Sequence, residues 1–393
     1  MTDSHLHAWS RWNLIFAYIS LFYFGLCDNI RGPVYPEVMR QFGLSNSAGT
    51  WFFALSSLMM ITGGLIASFF LKRWGYLRTF QVSVGLLTAA QFFYAASPRY
   101  SLFLFGSLIF GVASGTLGVI QNVLVIVAVA PPRLSRWMNG LHANYAVASL
   151  LAPLVAAGIF AFTPEFQMNF WVTGFLGIVL LIASFWVPGF VSPSQLAELA
   201  PRKERWDGEV LYFAGMLSCY VVAEVVTSTR LAQFVREQLQ GGAQVGSYWT
   251  AVFFVGLVAG RILFSFLPNA HFTRMWISVS LVASAGMLIA GVHWTPWGFF
   301  GAGLAMGPCY ALIMSLLREH FPHRLETATS VCMMMTGFFV VSMHLGAGLL
   351  TDAYGVRWVL SLAPLACLMG LTLLVAYKRI WGPAAILREG IHG

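Results

Sequence analysis

The sequence predicts an all-α membrane protein, with twelve transmembrane helices in two pseudo-symmetric six-helix bundles. Hydrophobic residues make up 58% of the 393-residue chain and charged residues only 9%, whereas soluble domains carry about 25% charged residues. Apolar runs of about 20 residues, the length that crosses a bilayer, recur from one end of the chain to the other. In addition, a single shift of the sequence against itself aligns charged residues of its two halves.

Glycine, proline and charged residues separate the apolar runs, so that each span can be delimited in turn. The twelve predicted spans lie near 12–36, 48–71, 79–96, 101–130, 138–162, 169–188, 209–236, 245–267, 272–291, 294–318, 326–350 and 356–378. Because the number is even, both termini are expected on one side. The first run follows Arg11 and is too long for the core of a signal peptide, so we expect it to remain as the first helix.

The connection between the sixth and seventh spans is the longest. It contains Ser192-Pro193-Ser194 and the charged stretch Arg202-Lys203-Glu204-Arg205. The sequence therefore predicts an N-terminal six-helix half over 1–188, a cytoplasmic linker over 189–208, and a C-terminal half over 209–393 that ends in a short cytoplasmic tail.

The basic residues near the span ends predict the orientation, because loops rich in Lys and Arg stay in the cytoplasm. With the N-terminus inside, fifteen basic residues lie on the cytoplasmic side: Arg11, Lys72, Arg73, Arg78, Arg133, Arg136, Arg202, Lys203, Arg205, Arg274, Arg318, Arg324, Lys378, Arg379 and Arg388. Only four, Arg40, Arg99, Arg236 and Arg357, lie outside. We therefore expect a multi-pass inner-membrane protein with both termini in the cytoplasm.

A shift of 196 residues reveals the internal repeat. It pairs Asp28 with Glu224, Arg40 with Arg236, and Arg78 with Arg274. The same shift pairs Gly64 with Gly260, Phe70 with Phe266, and Leu71 with Leu267. Related halves of this kind are typical of secondary transporters.

Composition and motifs argue against several other functions. The net charge of +8 comes from basic residues spread thinly over short loops, so no nucleic-acid partner is expected. The five cysteines all lie in apolar runs, which predicts neither a disulfide framework nor a metal site. Because the sequence lacks a metal-ligand spacing, a phosphate-cradling glycine loop and a nucleotide-binding domain, we expect neither an enzyme nor a cofactor.

Several stretches resemble the major facilitator superfamily. Its first-half cytoplasmic loop usually reads Gly-x-x-x-Asp-Arg-x-Gly-Arg-Arg, and the stretch from Ser68 to Leu77 keeps Arg73 and Gly75 but has Lys72 in place of the aspartate. The stretch from Gly348 to Gly355, followed by Arg357-Trp358, is similar to the turn before the family's twelfth helix. The resemblance covers essentially the whole chain and implies transport by alternating access.

Within that superfamily the chain is most similar to the fucose permease branch of proton-coupled sugar transporters. The similar stretches are Asn29 to Pro36, Gln41 to Ser45, Asn139 to Tyr145 with Pro153, and Gly303 to Tyr310 with Pro308. Where fucose permeases carry an aspartate in the first helix and a glutamate in the fourth, this chain has Gly32 and Gln121. Asp28, one turn earlier, is a candidate for the role of that aspartate.

Two acids near the middle of spans are the candidates for proton coupling. Asp28 lies in the first span and Glu224 in the seventh, and an ionisable group inside lipid costs about 2.5 to 3.5 kcal/mol on insertion scales. Such groups are retained mainly for function. The alternative for Asp28 is a structural ion pair with Arg31, three residues further along the helix.

Polar side chains within the spans form the predicted substrate site. Arg31 and Arg230 can bind an anionic group or pair with the two acids. The further candidates are Gln121, Asn122, His142, Asn144, Tyr145 and Tyr220, whose amide, imidazole and hydroxyl groups suit a hydroxylated ligand. For each of them alone, a hydrogen bond between helices is the competing explanation.

Four residues near span ends are the candidates for gating: Arg73, Gly75, Arg261 and Asp352. Arg261 can also tie helix ends together. His344, in the eleventh span, is either a proton relay or a packed histidine.

These observations favour a secondary transporter, coupled to protons, that moves a small polar metabolite such as a sugar. Its expected partners are the substrate, protons and the lipid bilayer, and the protein is expected to be a monomer. An exporter of amphipathic organic anions or drugs is the alternative suggested by 33 phenylalanines. A membrane sensor that transports nothing is the alternative from another class.

Overall fold

A computed structural model describes residues 3–129, 131–186, 208–266, 272–322 and 324–389 of the chain. The helices are α1 Asp3–Asn29, α2 Arg31–Phe42, α3 Asn46–Gly49, α4 Trp51–Ala96, α5 Tyr100–Ala128, α6 Pro131–Phe162, α7 Gln167–Ser184, α8 Gly208–Gln238, α9 Ala243–Ser265, α10 Thr273–His293, α11 Trp297–Met306, α12 Cys309–His320, α13 Leu325–Tyr354 and α14 Val356–Glu389. Nearly all of the linker predicted at 189–208 lies outside the described residues.

Within the described ranges, eleven helical stretches are long and apolar enough to cross a membrane. Lipid offers the backbone no hydrogen-bond partners, so an apolar chain must satisfy its amides within each helix. The stretch Asn46–Ala96 has 51 residues, which at 1.5 Å per residue is about 75 Å, more than twice the apolar thickness of a bilayer. This stretch contains two predicted spans, and the all-helical, twelve-span fold agrees with the structure.

Gly75 separates the two spans within α4. Its backbone angles, φ 76° and ψ 176°, are not helical, and residues with a side chain avoid this region. Thr79 closes the turn, because its hydroxyl donates to the carbonyls of Phe70 (3.2 Å) and Gly75 (2.6 Å). The chain therefore reverses within a stretch whose hydrogen-bond pattern is otherwise helical.

Proline interrupts the first and the tenth spans. The break between α1 and α2 falls at Ile30, and Pro33 has no amide hydrogen to donate to the carbonyl of Asn29. The break between α11 and α12 falls at Gly307 and Pro308. Such breaks leave backbone carbonyl groups within the span without a helical partner, so that side chains can donate hydrogen bonds to them.

Packing divides the described residues into two compact units. The first unit consists of Met1–Ala200, Leu231–Ala251 and His344–Asp352, and the second of Pro201–Arg230, Val252–Met343 and Ala353–Gly393. The first unit therefore contains the N-terminal half together with the end of α8, the start of α9 and the end of α13.

Close backbone contact through glycine occurs at corresponding places in both units. A Cβ atom on Gly115 of α5 would lie 2.0 Å from the Met60 carbonyl oxygen of α4. In the second unit, a Cβ atom on Gly260 of α9 would lie 2.1 Å from the Leu304 carbonyl oxygen of α11. Because lipid provides no hydrophobic force between helices, such contacts are a main source of helix association in membranes.

Aromatic side chains fill the core of the first unit near Arg31. The Tyr94 ring lies 4.7 Å from that of Phe103 and 4.9 Å from that of Phe170, and Phe52 lies 5.0 Å from Phe103. These four residues come from α4, α5 and α7 and are almost completely buried. The cluster fixes these three helices around the break between α1 and α2.

Replacing Gly75 by alanine tests the turn within α4. We expect Gly75→Ala to destabilise the protein by about 1 to 3 kcal/mol, because alanine is strained at this φ and ψ. The control is Gly118→Ala on α5, where an added Cβ meets no atom within 4 Å and alanine favours the helix. Thermal unfolding of detergent-solubilised protein should show a lower Tm for the first variant only, and equal Tm values would contradict the assignment.

Candidate functional site

Asp28 lies at the centre of a polar cluster in the first unit. Its Oδ2 accepts a hydrogen bond of 2.9 Å from the Tyr145 hydroxyl of α6, and its Oδ1 accepts one from Arg31 Nη2. Asn29 Nδ2 donates to the Tyr145 hydroxyl at 3.2 Å and to the Gly25 carbonyl at 2.9 Å. Tyr145 thus connects the end of α1 with α6.

All parts of the Arg31 guanidinium have partners in this conformation. Nε donates to the Asp28 carbonyl at 3.3 Å, Nη1 to the Ser56 hydroxyl at 2.6 Å, and Nη2 to the Asp28 carboxylate. Its Cζ lies 4.3 Å from the centre of the Phe110 ring. Cation–π contact and charged hydrogen bonds together stabilise the buried cation.

The helix break brings Asp28 and Arg31 together. The pair has the i,i+3 spacing that the sequence suggested, and the interruption at Ile30 leaves the Asp28 carbonyl free to accept from Arg31 Nε. The Asp28 side chain is 27% exposed, whereas that of Arg31 is 8% exposed. The acid is therefore the member of the pair that protons and ligands can reach.

The second unit has a related cluster around Glu224. The Tyr220 hydroxyl donates to Glu224 Oε2 one turn further along α8. Arg261 of α9 lies near Glu224, close enough for the two charges to attract each other. This unit therefore also combines an acid, a tyrosine and an arginine, although here the arginine comes from a different helix.

Arg261 reaches the break between α11 and α12. Its Nε donates to the Gly307 carbonyl at 3.3 Å, and Pro308 follows this glycine directly. A carbonyl next to a proline break is available because the regular helical pairing ends there. Arg261 thus ties α9 to the tenth span, in agreement with the alternative that it joins helices.

Three of the side chains predicted to bind substrate form hydrogen bonds between two helices or within one helix. Gln121 Nε2 donates to the Ser20 hydroxyl at 3.1 Å, and Asn144 Nδ2 donates to the Tyr18 carbonyl at 2.7 Å. Asn122 Nδ2 donates to the Gly118 carbonyl of its own helix at 2.9 Å. Ser20 and Tyr18 lie at least two turns of α1 before Asp28, so these amides are not part of the Asp28 cluster.

The remaining predicted ligands lie in different surroundings. His142 is exposed on α6, one turn before Tyr145. Arg230 is completely buried, and it is the last residue of the part of α8 that belongs to the second unit. Tyr220 belongs to the Glu224 cluster. Of the eight predicted ligands, the structure therefore brings Arg31 and Tyr145 to Asp28 and Tyr220 to Glu224.

A second polar cluster in the first unit surrounds Glu37 of α2. Glu37 Oε2 accepts from Arg40 Nε at 2.8 Å, and Glu37 Oε1 forms an ion pair with Arg236 Nη1 of α8. The Glu37 side chain is 6% exposed. Arg40 and Arg236 form one of the two arginine pairs that the 196-residue repeat aligned, and one acid binds both.

Asp352, a predicted gating residue, binds the start of α3. Its Oδ1 accepts from the backbone amide of Asn46 at 2.7 Å, and its Oδ2 from that of Ser47 at 2.8 Å. A carboxylate at this position satisfies amides that have no helical partner and complements the helix dipole. Gln233 of α8 donates to Asn46 Oδ1 at 2.6 Å, so the start of α3 also contacts the helix that carries Arg236.

The last turns of α13 continue this contact along the start of α4. The Thr50 hydroxyl donates to the His344 carbonyl at 2.5 Å, and the His344 ring stacks on Phe53 at 5.0 Å. His344 is 2% exposed, and its ring position is that of a packed histidine. We call the contacts around Glu37, Asp352 and Thr50 the terminal lock.

The other two gating candidates lie in the turn within α4. Gly75 forms the turn itself, and Arg73 is exposed beside it. Among the described residues, Arg73 has no ion pair. A gating role for this turn stays a prediction.

Glu37 and Ser56 were not among the residues predicted from the sequence. Glu37 stands three residues before Arg40, the spacing by which Asp28 and Arg31 were paired. The same rule, applied at the end of the span, would have identified it. Ser56 carries no comparable signal, because a serine in an apolar run has many possible partners.

Comparisons with known proteins agree with the fold. A family profile described as Major Facilitator Superfamily matches residues 17–338. Protein TsgA of Salmonella arizonae is 22% identical over 304 residues, which are 73% of this chain and 74% of TsgA. The MFS-type transporter GME11371 of Pestalotiopsis microspora is 24% identical over 250 residues, covering 61% of this chain and 41% of that protein.

Two solved structures share the fold at low sequence identity. A bacterial homolog of the human lysosomal transporter Spinster superimposes with a TM-score of 0.76 at 12% identity, over 94% of this chain and 97% of its own. A point mutant of the nucleoside transporter NupG gives a TM-score of 0.75 at 12% identity, over 93% of this chain and 99% of its own.

A double-mutant comparison tests the pair of Asp28 and Arg31. Arg31→Gln should lower stability by about 3 to 5 kcal/mol, because it leaves the Asp28 carboxylate without its cation. Arg31→Gln combined with Asp28→Asn should be more stable than Arg31→Gln alone, since no unpaired charge remains. Thermal unfolding in detergent measures both. If the second substitution lowers the Tm further, the two side chains do not compensate each other.

Proposed function

We propose a transport mechanism that starts from one established fact. The chain belongs to the major facilitator superfamily, whose profile matches residues 17–338. It is a multi-pass membrane protein and a secondary transporter of small molecules, not an enzyme. What the family does not fix is the coupling ion, the substrate class and the residues that carry them. The arrangement around Asp28 is the observation that supports the following assignment.

Asp28 is the proton-coupling residue in this proposal. Its carboxylate is reachable, and it balances the charge of a buried arginine that has no other acid partner among the described residues. Arginine stays protonated at every relevant pH. When Asp28 takes up a proton, Arg31 loses its counter-charge, so the conformation with the closed pair becomes less stable.

Glu224 is the corresponding candidate in the second unit. It shares the 196-residue register with Asp28 and lies beside Tyr220 and Arg261. Asp28 forms a direct ion pair with Arg31, whereas no ion pair joins Glu224 to Arg261 among the described residues. Neutralising Glu224 therefore disturbs its arginine less, and we assign Glu224 the secondary role.

The substrate is a small neutral polar molecule such as a sugar. The donors of Arg31 are occupied by Asp28 and Ser56, so the cluster has no spare positive charge for an anion. The partly exposed Asp28 carboxylate has lone pairs left to accept from ligand hydroxyls, and the Tyr145 hydroxyl and the Asn29 amide border it. Groups of this kind recognise hydroxylated ligands, and the named neighbour NupG is a nucleoside transporter.

The terminal lock is a gate. Its contacts join segments that are far apart in the sequence: α2 with α8, and α3 with α13. With the orientation that the basic loops favour, both termini are in the cytoplasm of the cell, the protein lies in the inner membrane, and the lock faces outside. Opening the lock admits substrate from that side, and the transporter imports it as a monomer.

Separating accumulation from exchange tests the role of Asp28. A ligand is first identified by the rise in Tm that binding causes, in a screen of sugars, nucleosides, sugar acids and cationic dyes. In proteoliposomes, Asp28→Asn should abolish uptake driven by a pH gradient but keep counterflow without a gradient. A neutral side chain cannot carry the proton, whereas exchange requires only substrate movement.

Glu224→Gln and Glu165→Gln complete this comparison. Glu224→Gln should reduce accumulation less than Asp28→Asn does. Glu165 is exposed in a loop, and Glu165→Gln should accumulate substrate as the unmodified protein does. If Asp28→Asn still concentrates substrate under a pH gradient, Asp28 is not the coupling residue.

A cross-link between Thr50 and Gly348 tests whether the lock must open. A Cβ atom on Gly348 would lie 2.7 Å from Thr50 Cγ2, so cysteines at these positions should reach the Cβ separation of about 3.5 to 4.5 Å found in disulfides. In a background without the five native cysteines, oxidation of Thr50→Cys/Gly348→Cys should stop transport, and reduction should restore it. Each single cysteine is the control. Full transport by the oxidised double variant would show that transport does not require the terminal lock to open.

A further inference from the structure

A groove between α4 and α7 has the chemistry of a phospholipid site. Its volume is about 470 Å³, and it opens on the turn side of α4, close to Gly75. The residues that line it are Trp74, Arg78, Gln81, Val82, Leu181 and Phe185. None of them belongs to the Asp28 cluster or to the terminal lock.

The groove is polar at one end and apolar at the other. Arg78, Gln81 and Trp74 supply a guanidinium, an amide and an indole, whereas Val82, Leu181 and Phe185 form an apolar wall. Gln81 is held in place because its Nε2 donates to the Ser184 carbonyl of α7 at 3.3 Å. The arrangement matches an amphipathic ligand with a hydrogen-bonding, negatively charged head and an apolar chain.

The apolar wall continues into the surface that faces lipid. On α7, exposed apolar residues follow the helical spacing at Phe175, Val179 and Ile182. On α4, Val82 and Leu86 are exposed in the same way, one turn apart. In a membrane protein, such stripes contact acyl chains, so a chain lying in the groove stays within the hydrocarbon region.

Arg78 has no counter-charge within the described part of the chain. The structure gives it no ion pair or hydrogen bond there, and the sequence contains no Asp or Glu from position 38 to position 164. Lys72 and Arg73 add positive charge to the same turn. An anion from outside this segment can therefore pair with the exposed Arg78 without competition from a neighbouring acid.

We propose that this groove binds one phospholipid with an anionic headgroup, its phosphate at Arg78 and Trp74 and an acyl chain along Leu181 and Phe185. Basic residues at a membrane surface attract anionic lipids, and tryptophan prefers the headgroup level. The lipid would offset one of the three positive charges of the turn and brace α4 against α7. This proposal goes beyond the transport function and does not depend on it.

Native mass spectrometry of the full chain in mild detergent, titrated with phosphatidylglycerol, tests the site. We expect one tightly retained lipid, and we expect Arg78→Gln to weaken its binding about 10- to 100-fold, the loss expected from one charged hydrogen-bonding group. Lys72→Gln is the matched control, since it removes a charge from the same turn without lining the groove. It should change the affinity less than about 2-fold.

A substitution of Phe185 tests the apolar half of the site. Phe185 is 67% exposed, so Phe185→Ser should fold normally, weaken binding of long-chain phosphatidylglycerol, and leave binding of a six-carbon-chain analogue unchanged. Phosphatidylcholine and inorganic phosphate are the comparison ligands, and each should bind much more weakly than phosphatidylglycerol. Equal retention of phosphatidylcholine, competition by inorganic phosphate at the same concentration, or equal effects of Arg78→Gln and Lys72→Gln would each overturn the proposal.

Discussion

The ion pair of Asp28 with Arg31 is the interaction on which the proposed transport cycle depends. A guanidinium buried among Phe52, Phe53 and Phe110 cannot lose its proton, so its charge requires a permanent partner. Asp28 is that partner in this conformation, and in the proposed cycle it is also the group that takes up the proton. Protonation therefore creates an unpaired buried cation, which costs about 3 to 5 kcal/mol. That cost is removed only if the helices rearrange or a ligand supplies a new acceptor.

The local backbone makes this pair possible. A regular helix would use the Asp28 carbonyl for its own hydrogen bonding, but the break at Ile30 gives it to Arg31. Tyr145 then holds the second carboxylate oxygen from α6. Asp28 is thereby connected to α6 through the Tyr145 hydroxyl and, through Arg31, to Ser56 of α4. The same principle recurs in the second unit, where Arg261 uses a carbonyl at the Gly307 break.

The sequence predicted the features that depend on composition and on short spacings. The length of the apolar runs predicted the spans, and the i,i+3 spacing predicted the pair of Asp28 and Arg31. Residues whose role depends on the rotation of one helix against another could not be predicted in this way. Asn144 and Tyr145 are neighbours in sequence, yet one binds the Tyr18 backbone and the other binds Asp28. Glu37 was overlooked because a charge at a span end resembles an ordinary solvated residue, whereas its burial arises only when α8 places Arg236 against it.

The central claim, that Asp28 couples protons to substrate movement, implies that substrate binding changes the proton occupancy of Asp28. It is tested most directly by adding the identified ligand to purified protein in weak buffer and following the pH with an indicator dye, over a range of about pH 5 to 8. If Asp28 is charged before binding and neutral afterwards, ligand addition removes protons from solution, and the ligand affinity rises as the pH falls. Asp28→Asn should bind the ligand without any proton uptake. Ligand binding by the unmodified protein without proton uptake at any pH in this range would contradict the account.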